Sequence, residues 1–286
     1  MKHFLSIIRW PNLVLLGIIE VLVFFRLLDW QNSLVGYWDL ALLTGVTILL
    51  AAGGYIINDY YDRKIDQVNK PRQWIAGNVW SARQVLFLYM LVVLAGLILS
   101  VWLALRLELL PYLFLYPAAV TGLWLYSFLL KCMPVVGNLW VSLFCAGVIL
   151  IVAAPDLIEG RKDVLTNQFW YYMVFAFLTT WYREIIKDIE DVEGDRSQNC
   201  KTAVVRWGLN AAKIMAVLLA VIIIVTLLQW ESTLSSYTAR FCLYLLESGI
   251  VASAAFVWWA KNKSYYHTAS TTVKLVMLAG TLLLLF

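Results

Sequence analysis

Long apolar runs separated by short polar stretches dominate the chain. Runs of about 18 or more apolar residues, the length that crosses a bilayer as a helix, predict about nine spans. They lie near 11 to 29, 37 to 58, 83 to 104, 109 to 129, 136 to 156, 167 to 187, 209 to 229, 236 to 260 and 267 to 286. A closed β-barrel would instead show strands of alternating polarity, and none is visible. The pattern predicts an all-α, polytopic membrane protein. No Pro-, Gly- or Ser-rich linker interrupts it, so residues 1–286 read as one transmembrane domain. The first apolar run carries Pro11, Glu20 and Arg26 and lacks a small-residue cleavage site, which marks a retained span and not a secretory leader.

Composition and charge add an orientation. The chain is 62% hydrophobic and 14% charged, so its few charges are informative by position. With nine spans, 22 Lys and Arg divide unevenly: all but Arg26, Arg106, Arg161, Lys162 and Arg240 fall on one side. The positive-inside rule assigns that side to the cytoplasm. A net charge of +4 then describes contact with anionic headgroups, and no basic aromatic module suggests nucleic acid. Most Trp and Tyr sit near span ends, as an aromatic belt requires. Cys132, Cys145, Cys200 and Cys242 lack the spacing of a zinc or redox motif and are expected to be reduced structural thiols. His3 and His267 are too few for haem or a histidine metal centre.

Two acidic clusters end apolar segments on the basic side. The first, Asn58-Asp59-Tyr60-Tyr61-Asp62-Arg63-Lys64-Ile65-Asp66, places Asn58, Asp62 and Asp66 on one helical face, with Asp59 about 100° away. In the second, from Glu184 to Asp195, residues Asp188, Asp191 and Asp195 share a face. Like charges one turn apart repel, and carboxylates at a hydrocarbon border are costly without a cation or partner. An all-oxygen donor set suits magnesium, which takes one or two carboxylates, several waters and substrate phosphate oxygens. Lys131, Arg63, Lys64, Arg72, Lys187, Arg196 and Lys201 stand where a diphosphate would need cations. Any one of these basic residues taken singly also fits a solvated, positive-inside loop.

The sequence resembles the UbiA superfamily of intramembrane prenyltransferases. Asn58, Asp59, Asp62 and Asp66 fill its Asn-Asp-x-x-Asp-x-x-x-Asp signature, and Asp191 and Asp195 fill Asp-x-x-x-Asp. Flanking similarity covers Ala51 to Tyr55, Pro71-Arg72, Tyr126 to Lys131, Gly137-Asn138, and Gly194 to Arg196 leading to Lys201-Thr202. The resemblance implies helices around a central cavity, two Mg²⁺ ions and a polyprenyl diphosphate donor with its tail in an apolar channel. It implies metal ligands at Asn58, Asp59, Asp62, Asp66, Asp191 and Asp195, although Asp59 faces elsewhere on a regular helix. It places diphosphate contacts at Lys131 and Tyr126, with Arg72, Lys187 and Arg196 as further candidates and Asn12 lining the pocket. The implied catalytic residues are Asp62, Asp191 and Lys131.

The run from Arg183 to Asp195 looks most like the digeranylgeranylglyceryl phosphate synthase branch, in which a glyceryl phosphate lipid accepts a geranylgeranyl group as an ether. An aromatic acceptor, of the 4-hydroxybenzoate, homogentisate or naphthoate type, is the alternative, because those branches share the aspartates. A lipid phosphate acceptor would need a second anion site, for which Arg9, Arg63 and Lys64 are candidates. The resemblance implies a prokaryotic cell membrane with the active site facing the cytoplasm. A non-enzymatic transporter is the reading from another class; its acids would lie near the midplane, where only Glu20 and Glu247 sit.

Overall fold

The computed structural model describes residues 2–69 and 75–285. Among these the regular structure is helical, with isolated bridges and no strand. Two compact units emerge: Met1–Leu130 with Val148–Leu165, and Lys131–Gly147 with Thr166–Phe286. The first holds α1 (Lys2–Ile7), α2 (Trp10–Leu27), α3 (Tyr37–Tyr61), α4 (Arg63–Asn69), α5 (Ala82–Arg106), α6 (Tyr112–Phe128) and the C-terminal part of α7 (Val136–Ile158). The second holds the N-terminal part of α7, then α8 (Asn167–Glu190), α9 (Val192–Ser197), α10 (Ala203–Trp207), α11 (Leu209–Glu231), α12 (Tyr237–Trp258) and α13 (Lys263–Leu283).

Among the described residues, six helices are long and apolar enough to cross a membrane: α2, α3, α5, α7, α11 and α12. The chain is a multi-pass membrane protein. The other three expected spans also coincide with helices, but α6 has 17 residues and α8 and α13 are more polar. Much of that polarity is turned inward within the second unit. The Tyr172 hydroxyl meets Thr281 Oγ1 at 3.3 Å, and the Tyr182 hydroxyl donates to Ser253 Oγ at 3.1 Å. Large apolar side chains such as Phe87, Ile98, Leu218 and Phe241 are exposed on α5, α11 and α12, as contact with lipid demands. Tyr37, Trp38, Tyr237 and Trp259 are exposed at helix ends, where amphipathic rings favour the interface.

Helix boundaries follow local chemistry. Ser81 opens α5 with a capping box: its backbone N–H donates to Gln84 Oε1 at 2.9 Å while its hydroxyl accepts from the Gln84 N–H. Ser236 and Asn262 cap α12 and α13 more simply, their side-chain oxygens accepting from the Ala239 and Ser264 N–H groups. Lys213 Nζ donates to the carbonyls of Trp258 and Ala260 at 3.1 and 3.2 Å, satisfying acceptors at the end of α12.

In the first unit α3 packs against α5, and glycine permits the approach. A Cβ at Gly96 would stand 2.6 Å from Leu50 Cδ2, and one at Gly53 would stand 2.7 Å from Val93 Cγ2. At the end of this pair opposite Asn58, Arg106 from the last turn of α5 is ion-paired with Asp39 from the first turn of α3. Each charge complements its own helix dipole. Nearby, the fully buried Asp156 on α7 accepts from Ser33 Oγ at 2.6 Å and Leu34 N–H at 2.9 Å, pinning the α2–α3 loop. At the acidic end of α3, Ile7, Ile56, Ile75, Ala76 and Val85 form an apolar cluster with Tyr60, Trp80 and Tyr89. It fixes the start of α5 beside the first motif.

Candidate active site

The first acidic motif spans the junction of α3 and α4. Although α3 ends at Tyr61, Asp62 stays in helical conformation, and its N–H donates to the Asn58 carbonyl at 2.9 Å. The Asp66 N–H then donates to the Asp62 carbonyl at 2.8 Å. Helical register therefore runs through the break and keeps Asn58, Asp62 and Asp66 in line. The Asn58 amide nitrogen donates to Asp62 Oδ2 at 2.6 Å. That bond fixes both rotamers and leaves the Asn58 amide oxygen as the part of this side chain able to coordinate a cation.

Asp59, one position on, turns to a different task. Its Oδ1 pairs with Arg9 Nη2 at 3.0 Å, and the Arg9 guanidinium also lies over the Tyr55 ring, 4.9 Å from its centroid. Burial opposes the Arg9 charge, but the Asp59 carboxylate, with Tyr55 and Asp62, outweighs it and raises the guanidinium pKa. Arg9 occupies the left-handed region at φ 50°, where α1 gives way to α2. The pair thus anchors that bend onto α3. Arg63 folds back, donating from Nε to the Tyr60 carbonyl at 2.7 Å with its guanidinium over the Tyr60 ring. Two of the three cations considered for a second anion site are therefore engaged locally, while Lys64 is exposed. Asn12 and Tyr126 are half-buried in this unit, and Arg72 lies outside the described residues.

The second motif repeats the device in the second unit. Asp191 follows the last residue of α8, its N–H donating to the Lys187 carbonyl at 2.8 Å, and the Asp195 N–H on α9 reaches the Asp191 carbonyl at 3.2 Å. Asp195 is buried and its Oδ2 accepts from Thr202 Oγ1 at 3.2 Å. Asp188 accepts from the Asn138 amide at 3.0 Å, tying the start of α7 to α8. Asp191 lies 3.9 Å from Lys263 Nζ, which adds positive charge here, and Glu190 lies 2.9 Å from His267 Nδ1, both from the N-terminal part of α13. Lys187 sits 3.7 Å from Glu184, and Arg196 is exposed.

Lys131 lies in a 3-10 turn, Leu130–Cys132, and here the structure corrects the sequence reading of the cysteines. Cys132 and Cys200 form a disulfide, with Cα atoms 4.5 Å apart; Cys145 and Cys242 are free. A separation of 68 residues hid the pairing, because folding and not spacing brings the two together. Asn138 and Thr202, the partners of Asp188 and Asp195, were visible only as flanking residues for the same reason.

Among the described residues, neither unit by itself gathers three acidic, histidine or cysteine side chains into a metal-holding group. Magnesium does not require one, since a pair of carboxylates with waters and phosphate oxygens completes its shell. The oxygen-only chemistry of Asn58, Asp62 and Asp66, and of Asp191 and Asp195, fits such an ion.

Comparison with known proteins decides the family. The profile of the UbiA prenyltransferase family matches residues 21–281. The chain belongs to the UbiA prenyltransferase family. It is an intramembrane prenyltransferase. A digeranylgeranylglyceryl phosphate synthase of Methanobrevibacter smithii is 30% identical over 230 residues, covering 78% of this chain and 75% of that protein. Among UbiA structures, a digeranylgeranylglyceryl phosphate synthase superposes with a TM-score of 0.71 at 20% identity, over 99% of this chain and 96% of the other. A UbiA homologue from Archaeoglobus fulgidus, solved with GPP and Mg²⁺, superposes with a TM-score of 0.66 at 15% identity, over 99% of this chain and all of the other.

Two deep carboxyls remain outside the UbiA motifs. Glu20 on α2 is fully buried, with the Thr44 and Thr47 hydroxyls as the polar groups nearest its carboxyl. The Tyr116 hydroxyl lies in the same buried polar group, beside Thr47. Glu247 on α12 is half-buried with Oε1 unpartnered.

Proposed function

We propose that this UbiA protein transfers a geranylgeranyl group from its diphosphate to geranylgeranylglyceryl phosphate, forming an ether lipid, with Mg²⁺ held by both aspartate motifs. The observation that carries this reading is the continuous helical register that lines up Asn58, Asp62 and Asp66 in a chain whose relative in Methanobrevibacter smithii is a digeranylgeranylglyceryl phosphate synthase. The homologue solved with GPP and Mg²⁺ supports a divalent ion and an allylic diphosphate.

In this reading Asn58, Asp62, Asp66, Asp191 and Asp195 hold the metal directly or through water. Bound there, magnesium supplies neutralising charge to the departing diphosphate, which lowers the barrier to breaking the allylic C–O bond. Lys131, Tyr126, Lys187 and Arg196 hold diphosphate oxygens as hydrogen-bond donors. Asp59 positions, through Arg9, the bend that leads to Asn12. The acceptor hydroxyl oxygen forms the new bond to the prenyl C1 and loses its proton, while diphosphate leaves with the electron pair. Apolar spans exclude water that would otherwise capture the prenyl group. The basic side of the chain, and with it the site, faces the cytoplasm.

The test supplies membranes containing the protein with labelled geranylgeranyl diphosphate, Mg²⁺ and a panel of acceptors. A labelled digeranylgeranylglyceryl phosphate, identified by mass, is the expected product. A prenylated 4-hydroxybenzoate, homogentisate or naphthoate with no ether lipid would replace the acceptor assignment.

A further inference from the structure

The Cys132–Cys200 bond has a particular neighbourhood. Cys132 follows Lys131, and Cys200 lies five residues beyond Asp195 of the second acidic motif. The Cys200 N–H donates to the Asp195 carbonyl at 2.9 Å, and the Lys201 N–H donates to the Cys132 carbonyl at 3.0 Å. Thr202, two residues beyond Cys200, holds the Asp195 carboxylate. One covalent link and three hydrogen bonds therefore join the Lys131 turn to Asp195, all within the second unit.

We propose that the Cys132–Cys200 disulfide is a positioning device for prenyl diphosphate, holding Lys131 at a fixed spacing from Asp195. This rests on the assignment of Lys131 and Asp195 to diphosphate and metal. The link closes a 68-residue stretch that contains all of α7, α8 and α9, and membrane spans stay helical when tertiary contacts loosen. Opening it releases little chain entropy compared with a flexible loop of that length. Its effect is local: a turn held less tightly blurs the ordered geometry that makes a charge-assisted contact strong. Reduction takes two electrons and two protons from a dithiol, which leaves as a disulfide, and yields two Cys thiols.

The experiment uses purified full-length protein in lipid vesicles, oxidised or treated with dithiothreitol, with thiols counted by iodoacetamide mass shift. Oxidised protein should expose two alkylatable thiols after denaturation and reduced protein four. Reduction should raise KM for geranylgeranyl diphosphate about tenfold with kcat within about twofold, and weaken equilibrium binding of geranylgeranyl thiolodiphosphate, a slow-reacting donor analogue, by a similar factor. The Cys132→Ser/Cys200→Ser variant should match the reduced protein and ignore dithiothreitol. Four alkylatable thiols before reduction, or unchanged KM and analogue binding once the bond is open, would overturn the proposal. Absence of prenyl transfer in the oxidised protein would instead bring down the functional assignment, and this inference with it.

Discussion

Replacing Arg9 with Gln tests whether Asp59 serves the protein scaffold or the metal. The two groups stand 3.0 Å apart, with side chains 36% and 16% exposed. Coulomb's law gives about 5.5 kcal/mol for that separation at an effective dielectric of ~20, and about 1.4 kcal/mol in bulk water. Exposure of the guanidinium pulls the net value toward the lower bound, to about 1–2 kcal/mol once solvent screening is included. Lost contact with the Tyr55 ring adds roughly 0.5 kcal/mol. Gln inherits the same left-handed backbone, so conformational strain cancels in the comparison. Arg9→Gln should therefore destabilise by about 1.5–2.5 kcal/mol. Asp59→Asn in the Arg9→Gln background should cost little more, because each change removes the same pair. Thermal unfolding in detergent across this double-mutant cycle measures the coupling. Mg²⁺ titration of prenyl transfer should show the half-saturating concentration moving less than about threefold in Asp59→Asn, against a loss of activation in Asp62→Asn. Equal loss of Mg²⁺ activation in both would refute the argument and make Asp59 a metal ligand.

Other substitutions probe independent parts of the account. Asp156→Ala removes two hydrogen bonds from a buried carboxylate and should lower stability by about 2–4 kcal/mol in detergent unfolding, with prenyl transfer per folded molecule unchanged. Gly96→Val drives a side chain into Leu50 and should destabilise by about 1–3 kcal/mol or more by the same measurement. Lys131→Gln removes a charged donor and should raise KM for prenyl diphosphate about 10- to 100-fold, read from initial rates at saturating acceptor. Asn138→Leu leaves Asp188 without its amide donor and should cost about 1–3 kcal/mol, measured by unfolding, with Asn138→Gln recovering part of the loss.

Where the chemistry is local, the sequence carried it. The i, i+4, i+8 placement of Asn58, Asp62 and Asp66 survives the α3–α4 junction because Asp62 keeps the helical hydrogen bond to Asn58. The offset of Asp59 on that helix was visible, yet the motif placed it with the metal ligands, whereas its carboxylate pairs with Arg9. Identity of that partner was not legible, since Arg9 lies 50 positions away and meets Asp59 only through packing of α2 on α3. The same holds for Asn138 with Asp188 and for Cys132 with Cys200. Apolar length predicted the helices well but not their polarity: α8 and α13 spend Tyr172, Tyr182, Ser270 and Thr281 on buried faces, which hydropathy alone reads as weakness. Glu20 was visible as an ionisable residue in an apolar run, while its grouping with Thr44 and Tyr116 needed the fold.

The central claim is that the two aspartate motifs act on one prenyl diphosphate through Mg²⁺. Its most direct measurement is prenyl transfer by purified protein, with and without Mg²⁺, in wild type, Asp62→Asn and Asp191→Asn, each checked for folding. The account predicts Mg²⁺-dependent transfer in wild type and loss of at least about 100-fold in either variant, the scale of removing a group that stabilises the departing charge. Full activity in either folded variant, or transfer indifferent to chelation of Mg²⁺, would contradict it.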